Sequence, residues 1–188
     1  MVGKVYAIAP QPPVPEHTRY FPAGVVTIGV EYRDVDPDGL VATYRDRPEQ
    51  LAELLAESPD GGFSDEGVSL HVCDAADGYE YLRFDVFDAE PHYHYVHRAD
   101  HVVNHVVDFD PVAHGDMLPW ALDCIRHRLG PMLAEAGAGH LVAGLDAAAL
   151  DRALAEVGPL AARAQRDART VRTARTGPAA RGGSVDAG

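Results

Sequence analysis

The sequence predicts an α+β protein in which an antiparallel β-sheet meander is packed on one face by two or three helices. Three observations support this fold class. Segments with alternating apolar and polar residues follow one another up to about residue 109, short turn-rich stretches separate them, and helical periodicity dominates only from residue 116 onward. Strands that cluster first and helices that come last favour α+β over a parallel α/β arrangement.

The strand segments can be placed from their composition. We expect strands at 2–9, 24–32 and 40–44, with 24–44 as a hairpin around the turn sequence RDVDPDG. GVSLHVCD (67–74) and YEYLRFDVF (79–87) alternate cleanly, as half-buried antiparallel strands do. Five prolines between residues 10 and 22 exclude a regular helix or a central strand there.

Helices are predicted at 46–58, from 116 to about 137, and at 145–158. In the second of these, Pro131 follows Gly130 inside the apolar periodicity, so a kink or a break is expected there. Residues 158–188 are rich in Ala, Arg, Gly and Thr and poor in apolar residues, which predicts a disordered tail. The expected organisation is one domain over 1–157 followed by this tail.

The chain of 188 residues has a formal net charge of −13. Residues 158–188 hold six arginines and two acidic residues, so the negative charge belongs to the body, which should not bind nucleic acid. The apolar runs are too short for a membrane span, and the N-terminus lacks the features of a signal peptide, so a cytoplasmic location is expected. Cys73 and Cys124 are too few for a disulfide framework and read as buried thiols.

The segment EPHYHYVHRADHVVNH, residues 90–105, contains five histidines in sixteen residues. We predict a hairpin of 90–96 with 101–107. If Val96 lies opposite His101, then His92 lies opposite His105, and one face carries a set of residues suited to zinc, iron or manganese. That set is Glu90, His92, His94, His101 and His105.

The prediction depends on register. A slip of one residue moves His101 and His105 to the other face, whereas His92 and His94 share a face in any register. Two alternatives stay open for this segment: histidines that pack structurally against the neighbouring tyrosines, and a metal-free acid–base pocket. In the pocket, His92 or His94 is the base, with Asp85, Asp88 or Glu90 as its partner.

Arg83 and Asp85 share one face of the strand YLRFDVF. If that face is covered, Arg83 becomes a candidate clamp for a substrate carboxylate; if it is open, the two residues form an ordinary surface pair. The catalytic candidates are therefore His92, His94, Arg83 and Asp85.

Two segments, YLRFDVF…EPHYHY and GDMLPWALDCIRHRLGPMLAEAG, resemble an uncharacterised bacterial family of unknown function. The resemblance covers about residues 68–137, and PHYHY (Pro91–Tyr95) is its distinctive part. It implies no catalytic residue and no cofactor, but it points to residues 81–95 as the important region.

The sequence thus favours a small protein, or enzyme, that binds a metal or a small molecule through His92 and His94. The alternative is a non-catalytic acidic interaction protein, similar to an inhibitor or immunity protein, that binds a basic partner by charge complementarity. A homodimer formed through a sheet edge is compatible with both.

Overall fold

A computed structural model describes residues 3–46, 48–56, 65–98 and 103–175, and it confirms the α+β fold class. The described strands are β1 (Lys4–Tyr6), β2 (Thr18–Ala23), β3 (Val26–Val35), β4 (Asp65–Asp74), β5 (Glu80–Phe87), β6 (His92–His97) and β7 (Val103–Asp108). The described helices are α1 (Pro37–Tyr44), α2 (Pro48–Ala56), α3 (Pro111–His114), α4 (Met117–His127), α5 (Leu129–Glu135), α6 (Gly139–Val142) and α7 (Ala147–Arg175).

The seven strands form one antiparallel sheet in the order β1-β7-β6-β5-β4-β3-β2. From β2 to β7 each strand pairs with the next along the chain, which is the predicted meander. The N-terminal strand β1 closes the far edge by pairing with β7. Pro22 lies in β2, an edge strand, where the missing N–H does not interrupt a central ladder.

One face of the sheet is apolar and carries the helical layer. Alternation along the central strands directs large side chains such as Ile28, Leu70 and Phe84 to this face, and all three are fully buried. Ile125 of α4 and Leu133 of α5 belong to the same hydrophobic core and are also fully buried. Burial of these apolar side chains stabilises the fold by about 1.5–3 kcal/mol per residue.

The opposite face of the same strands is polar, and it is buried as well. Ser69, His71, Arg83 and Asp85 alternate with the apolar residues of β4 and β5, and each is at most 4 % exposed. Gly29 of β3 lies opposite His71, and a Cβ at Gly29 would lie 3.2 Å from the His71 side chain. The glycine therefore makes room for the imidazole in the middle of the sheet.

The N-terminal segment that follows β1 covers part of this polar face. The Arg33 guanidinium donates to the backbone oxygen of Gln11 (3.1 Å) and to its side-chain oxygen (2.9 Å). The backbone N–H of Val14 donates to Glu31 Oε1 at 3.1 Å. The proline-rich segment is thus held to β3 by polar contacts instead of by pairing as a central strand.

The predicted strand at 40–44 is wrong, because these residues belong to α1. Asp36 caps this helix by accepting the N–H of Gly39 at 2.6 Å, and proline stands at the start of the helix. An N-cap carboxylate followed by proline is a helix-start signal that outweighs the β-branched residues nearby.

The predicted interruption near Pro131 occurs three residues earlier. The break falls at Arg128, between the end of α4 and the start of α5. Pro131 then lies in the first turn of α5, where a missing backbone N–H leaves no helical hydrogen bond unmade.

The last helix is longer than predicted. α7 continues through Gly158 and Pro159 to Arg175, so residues 158–175 are helical instead of part of the tail, and 176–188 lie outside the described residues. Val157 and Ala161 are fully buried on either side of the proline, so packing against the core continues across it. Alanine and arginine, which dominate this stretch, are strong helix formers.

Candidate metal site on the polar face

Three predicted site residues meet where β5 pairs with β6. Asp85 lies opposite His92, and Arg83 lies opposite His94. The Nε2 atoms of both histidines approach the same carboxylate oxygen: Asp85 Oδ2 lies 2.9 Å from His94 and 3.3 Å from His92. One ligand atom from each of Asp85, His92 and His94 lies within 4.8 Å of the others, and this group is the triad referred to below.

Each member of the triad is held by a second contact on its far side. His92 Nδ1 donates to the backbone oxygen of Glu90 at 2.7 Å, and His94 Nδ1 donates to Asn104 Oδ1 at 2.9 Å. The Ser69 hydroxyl donates to Asp85 Oδ1. Outer contacts of this kind set the tautomer of a ligating histidine and leave Nε2 as the nitrogen with the free lone pair.

The bend before β6 is anchored by Asp65 at the start of β4. The Asp65 carboxylate accepts the backbone N–H of Ala89 at 3.1 Å and of Glu90 at 2.8 Å. This places the Glu90 carbonyl where His92 Nδ1 reaches it. Pro91 follows the bend and immediately precedes β6.

The four ring nitrogens of His92 and His94 all face oxygen acceptors. A neutral imidazole carries one proton, so it can satisfy its Nδ1 partner or Asp85, but not both. Burial lowers the pKa of His94 even though Asp85 opposes this, so His94 favours the neutral form. A neutral His94 that donates to Asn104 directs a lone pair at the Asp85 carboxylate, and a cation between the two atoms would relieve that repulsion.

Asp85 itself is ionised. Burial opposes its charge, but the contacts with His92 and His94 and the nearby Arg83 guanidinium hold its pKa well below the usual range. Burial also opposes the charge of His92, yet the contact with Asp85 raises the pKa of His92 above its ordinary value. The triad therefore presents one carboxylate and two imidazoles with different proton affinities.

A network of buried charges adjoins the triad on β3, β4 and β5. His71 Nδ1 lies 2.6 Å from Glu80 Oε1, and its Nε2 lies 3.2 Å from Glu31 Oε2. Arg83 binds both oxygens of Glu80, at 2.8 Å through Nε and at 2.6 Å through Nη2. Arg33 lies beside Glu31. Together with Asp85, the region therefore holds three cations and three carboxylates, namely Arg33, His71 and Arg83 with Glu31, Glu80 and Asp85.

The pKa values of Glu80 and His71 are shifted in the directions that favour their charged forms. Burial opposes ionisation of Glu80, but Arg83 and His71 outweigh it and lower the pKa of Glu80 to about 2. Burial likewise opposes protonation of His71, but hydrogen bonds to Glu31 and Glu80 raise its pKa. Both ring nitrogens of His71 face carboxylates and its pKa is raised, which favours an imidazolium held between Glu31 and Glu80.

The structure places the other predicted site residues differently. The predicted register is wrong: His92 lies opposite Asp108, and His105 lies opposite Tyr95, which puts His105 on the helix-covered face. The Glu90 side chain is exposed, and only its backbone oxygen contacts His92. His101 lies outside the described residues. Arg83 is buried as the clamp hypothesis requires, but the carboxylate that it holds is that of Glu80.

Three residues that support the site were missed from the sequence. Ser69 could have been found, because strand alternation places it on the same face as His71 and the register with β5 puts it opposite Asp85. Asn104 depends on the β6–β7 register, which local sequence does not determine. Asp65 acts across a chain separation of 25 residues, and nothing in its surroundings in sequence indicates a contact with Glu90.

The fold and the site define a class: an α+β protein with an antiparallel meander, whose polar face buries a His-His-Asp triad. Within the described residues, none of the helices is long and apolar enough to cross a membrane. The chain belongs to the family described as "Domain of unknown function (DUF7700)", whose model matches residues 20–161. That match confirms the resemblance to an uncharacterised family and includes the whole triad. Comparisons with curated proteins and with solved structures found no match.

Proposed function

We propose that this protein binds one divalent transition metal ion through His92 Nε2, His94 Nε2 and the Asp85 carboxylate. The observation that carries the proposal is the convergence of both Nε2 atoms on one oxygen of Asp85, with each Nδ1 held by a separate acceptor. Two imidazoles and one carboxylate are the ligand types of zinc, iron and manganese sites.

The outer contacts support metal binding over a purely structural role. Histidine ligands commonly donate their second N–H to a carbonyl or carboxylate, and ligating carboxylates are themselves hydrogen-bonded. Glu90 O, Asn104 Oδ1 and Ser69 Oγ supply these contacts here. Buried structural histidines also pair their nitrogens, so the feature that favours a metal is the convergence of both Nε2 atoms on one oxygen of Asp85.

The number of ligands and the surrounding charges favour a small-molecule enzyme over a storage site. Three protein ligands leave coordination positions for water or substrate, as in catalytic metal sites. The neighbouring cations are already balanced by Glu31, Glu80 and Asp85 itself, so the charge of a bound divalent ion stays uncompensated. The ligand that completes the site would therefore be an anion or a polar oxygen compound.

The test is to purify the protein without a histidine tag and measure bound metal by elemental mass spectrometry, before and after reconstitution with Zn²⁺, Fe²⁺ or Mn²⁺. The same measurement is made on a His92→Ala/His94→Ala variant. Wild type should hold close to one equivalent at the triad, and the variant should lose it.

The matched control is His127→Ala, since the side chain of His127 is 62 % exposed and lies outside the triad. This variant should keep the full metal content. Wild-type protein that takes up no metal after reconstitution would contradict the proposal. It would leave the Asp85–His94 contact as a metal-free acid–base pair, the remaining chemical interpretation of the triad.

A further inference from the structure

A second histidine pair lies on the opposite face of the same hairpin. His97 ends β6 and lies opposite Val103, and His105 lies on β7 two positions beyond Val103, so the two histidines are diagonal neighbours on one face. Their ring centroids are 4.8 Å apart. Alternation puts both rings on the helix-covered face with Tyr95, whereas His92 and His94 project from the polar face.

Each ring has one buried nitrogen without a partner. Among the described residues, nothing forms a hydrogen bond with His97 Nε2 or His105 Nδ1, although neither atom is accessible to solvent. Buried polar atoms in native proteins are nearly always paired, and an unpaired one calls for a water, an ion or a functional explanation. Here two such atoms occur on neighbouring rings.

The spacing of the two rings matches joint coordination. Two imidazoles bound to one zinc ion through bonds of about 2.0–2.1 Å place their ring centroids about 5 Å apart. His97 and His105 have this separation, and so do His92 and His94, at 4.9 Å. The ring spacing of the second pair is therefore compatible with a shared ion.

The surroundings of the pair also favour a cation. Burial and the adjacent His105 lower the pKa of His97, while the negative charge of Glu135 at the end of α5 opposes this. Glu135 is exposed and attracts positive charge toward the pair. Gly137 lies next to His97, and a Cβ at that position would lie 3.8 Å from Nδ1.

We propose that His97 Nε2 and His105 Nδ1 form a second metal site that takes Zn²⁺ or Cu²⁺, with water completing the coordination. It is separate from the triad because the sheet lies between the two pairs. With two protein ligands instead of three, it binds more weakly than the triad.

The experiment is a calorimetric titration of untagged, chelator-treated protein with Zn²⁺. We expect two equivalents in wild type, loss of the weaker one in His97→Ala/His105→Ala, and loss of the tighter one in His92→Ala/His94→Ala. A His127→Ala/His140→Ala variant removes two exposed histidines and should retain both equivalents. Because the two pairs are removed separately, failure of the triad proposal leaves this one testable.

A measurement on wild type covers the case in which a variant does not fold. Histidine-selective ¹⁵N–¹H spectra recorded during zinc addition should show His97 Nε2 and His105 Nδ1 moving to the shifts of coordinated nitrogen. The proposal is overturned if these two nitrogens stay unchanged at saturating zinc, or if the folded His97→Ala/His105→Ala protein binds as many equivalents as wild type.

Discussion

The two histidine pairs of the β6–β7 hairpin have nearly the same ring spacing and opposite environments. His92 and His94 lie on the polar face, and each of their nitrogens faces an oxygen of Asp85, Glu90 or Asn104. His97 and His105 lie on the helix-covered face, and each has one buried nitrogen without a partner among the described residues.

The difference shows which contacts turn two neighbouring histidines into a preorganised binding site. Proximity of two imidazoles follows from sheet geometry alone, because residues two apart on one strand, and diagonal residues on paired strands, share a face at about 7–8 Å. A carboxylate between the rings and fixed acceptors behind them require residues from β4, β5 and the bend before β6. The first pair has these supports and the second lacks them, so the two should differ in affinity and in their effect on stability.

The largest expected effect concerns the charges that support the polar face. Arg83→Met removes the cation that binds both oxygens of Glu80 and leaves a buried carboxylate with His71 as its main partner. Breaking one side of a buried ion pair costs about 3–5 kcal/mol of unfolding free energy, measured by urea denaturation. Arg126→Ala breaks an exposed ion pair with Asp151 and should cost about 1 kcal/mol or less. Equal losses of unfolding free energy in Arg83→Met and Arg126→Ala would mean that water screens the charges of the polar face as it screens surface charges.

Acid should destabilise the protein because it protonates Glu80 on the polar face. Its pKa is lowered from 4.5 to about 2 in the folded protein, so it contributes stability above pH 4.5 that is lost as the pH falls toward 2. The contribution is on the order of 3 kcal/mol. The Glu80→Gln variant should show a flatter acid limb in urea denaturation measured between pH 5 and pH 2. An unchanged acid limb in Glu80→Gln would show that other carboxylates cause the loss of stability in acid.

The two pairs can be compared directly by removing one ring from each in chelator-treated buffer. His94→Phe leaves Asp85 and Asn104 without their hydrogen-bond partner in a buried site, which should cost about 1–3 kcal/mol of unfolding free energy. His105→Phe removes an unsatisfied nitrogen from an apolar face and should change stability by less than about 1 kcal/mol. A larger loss of unfolding free energy in His105→Phe than in His94→Phe would mean that the second pair, and not the first, supports the fold.

The smallest expected effect concerns one outer contact of the triad. Ser69→Ala removes the hydroxyl that donates to Asp85 Oδ1 and leaves every proposed metal ligand in place. Loss of an outer contact lowers metal affinity by about 10-fold or somewhat more. Calorimetry should show weaker zinc binding at the triad and no change in the weaker equivalent at His97 and His105. Unchanged affinity at the triad would show that Ser69 is only structural.

Most of the fold could be predicted, and the errors have identifiable causes. The meander and the helical layer follow from periodicity, which is a local property. The strand predicted at 40–44 failed because the Asp36–Pro37 helix start was read as a turn. The end of α7 was placed too early because glycine and proline at 158 and 159 are stop signals, whereas burial of Val157 and Ala161 carries the helix past them.

For the site, alternation along β6 is sufficient to show that His92 and His94 share a face, and alternation along β5 does the same for Arg83 and Asp85. These relations have a period of two residues and need no partner strand. Joining the two strands needs their register. In the β6–β7 hairpin the register lies three residues from the predicted one, and an odd shift moves His105 to the other face.

Tertiary structure alone decides that Asp85 stands between the two imidazoles, that Glu31, His71 and Glu80 surround Arg83, and that His97 meets His105. Apart from the Arg83–Glu80 pair within β5, these contacts join different strands, so their geometry depends on loop lengths and on the packing of the whole sheet. Local periodicity carries no information about loop lengths or about the packing of the sheet. The residue types for a metal site are therefore visible in the sequence, whereas the set of ligands that converge is a property of the folded sheet.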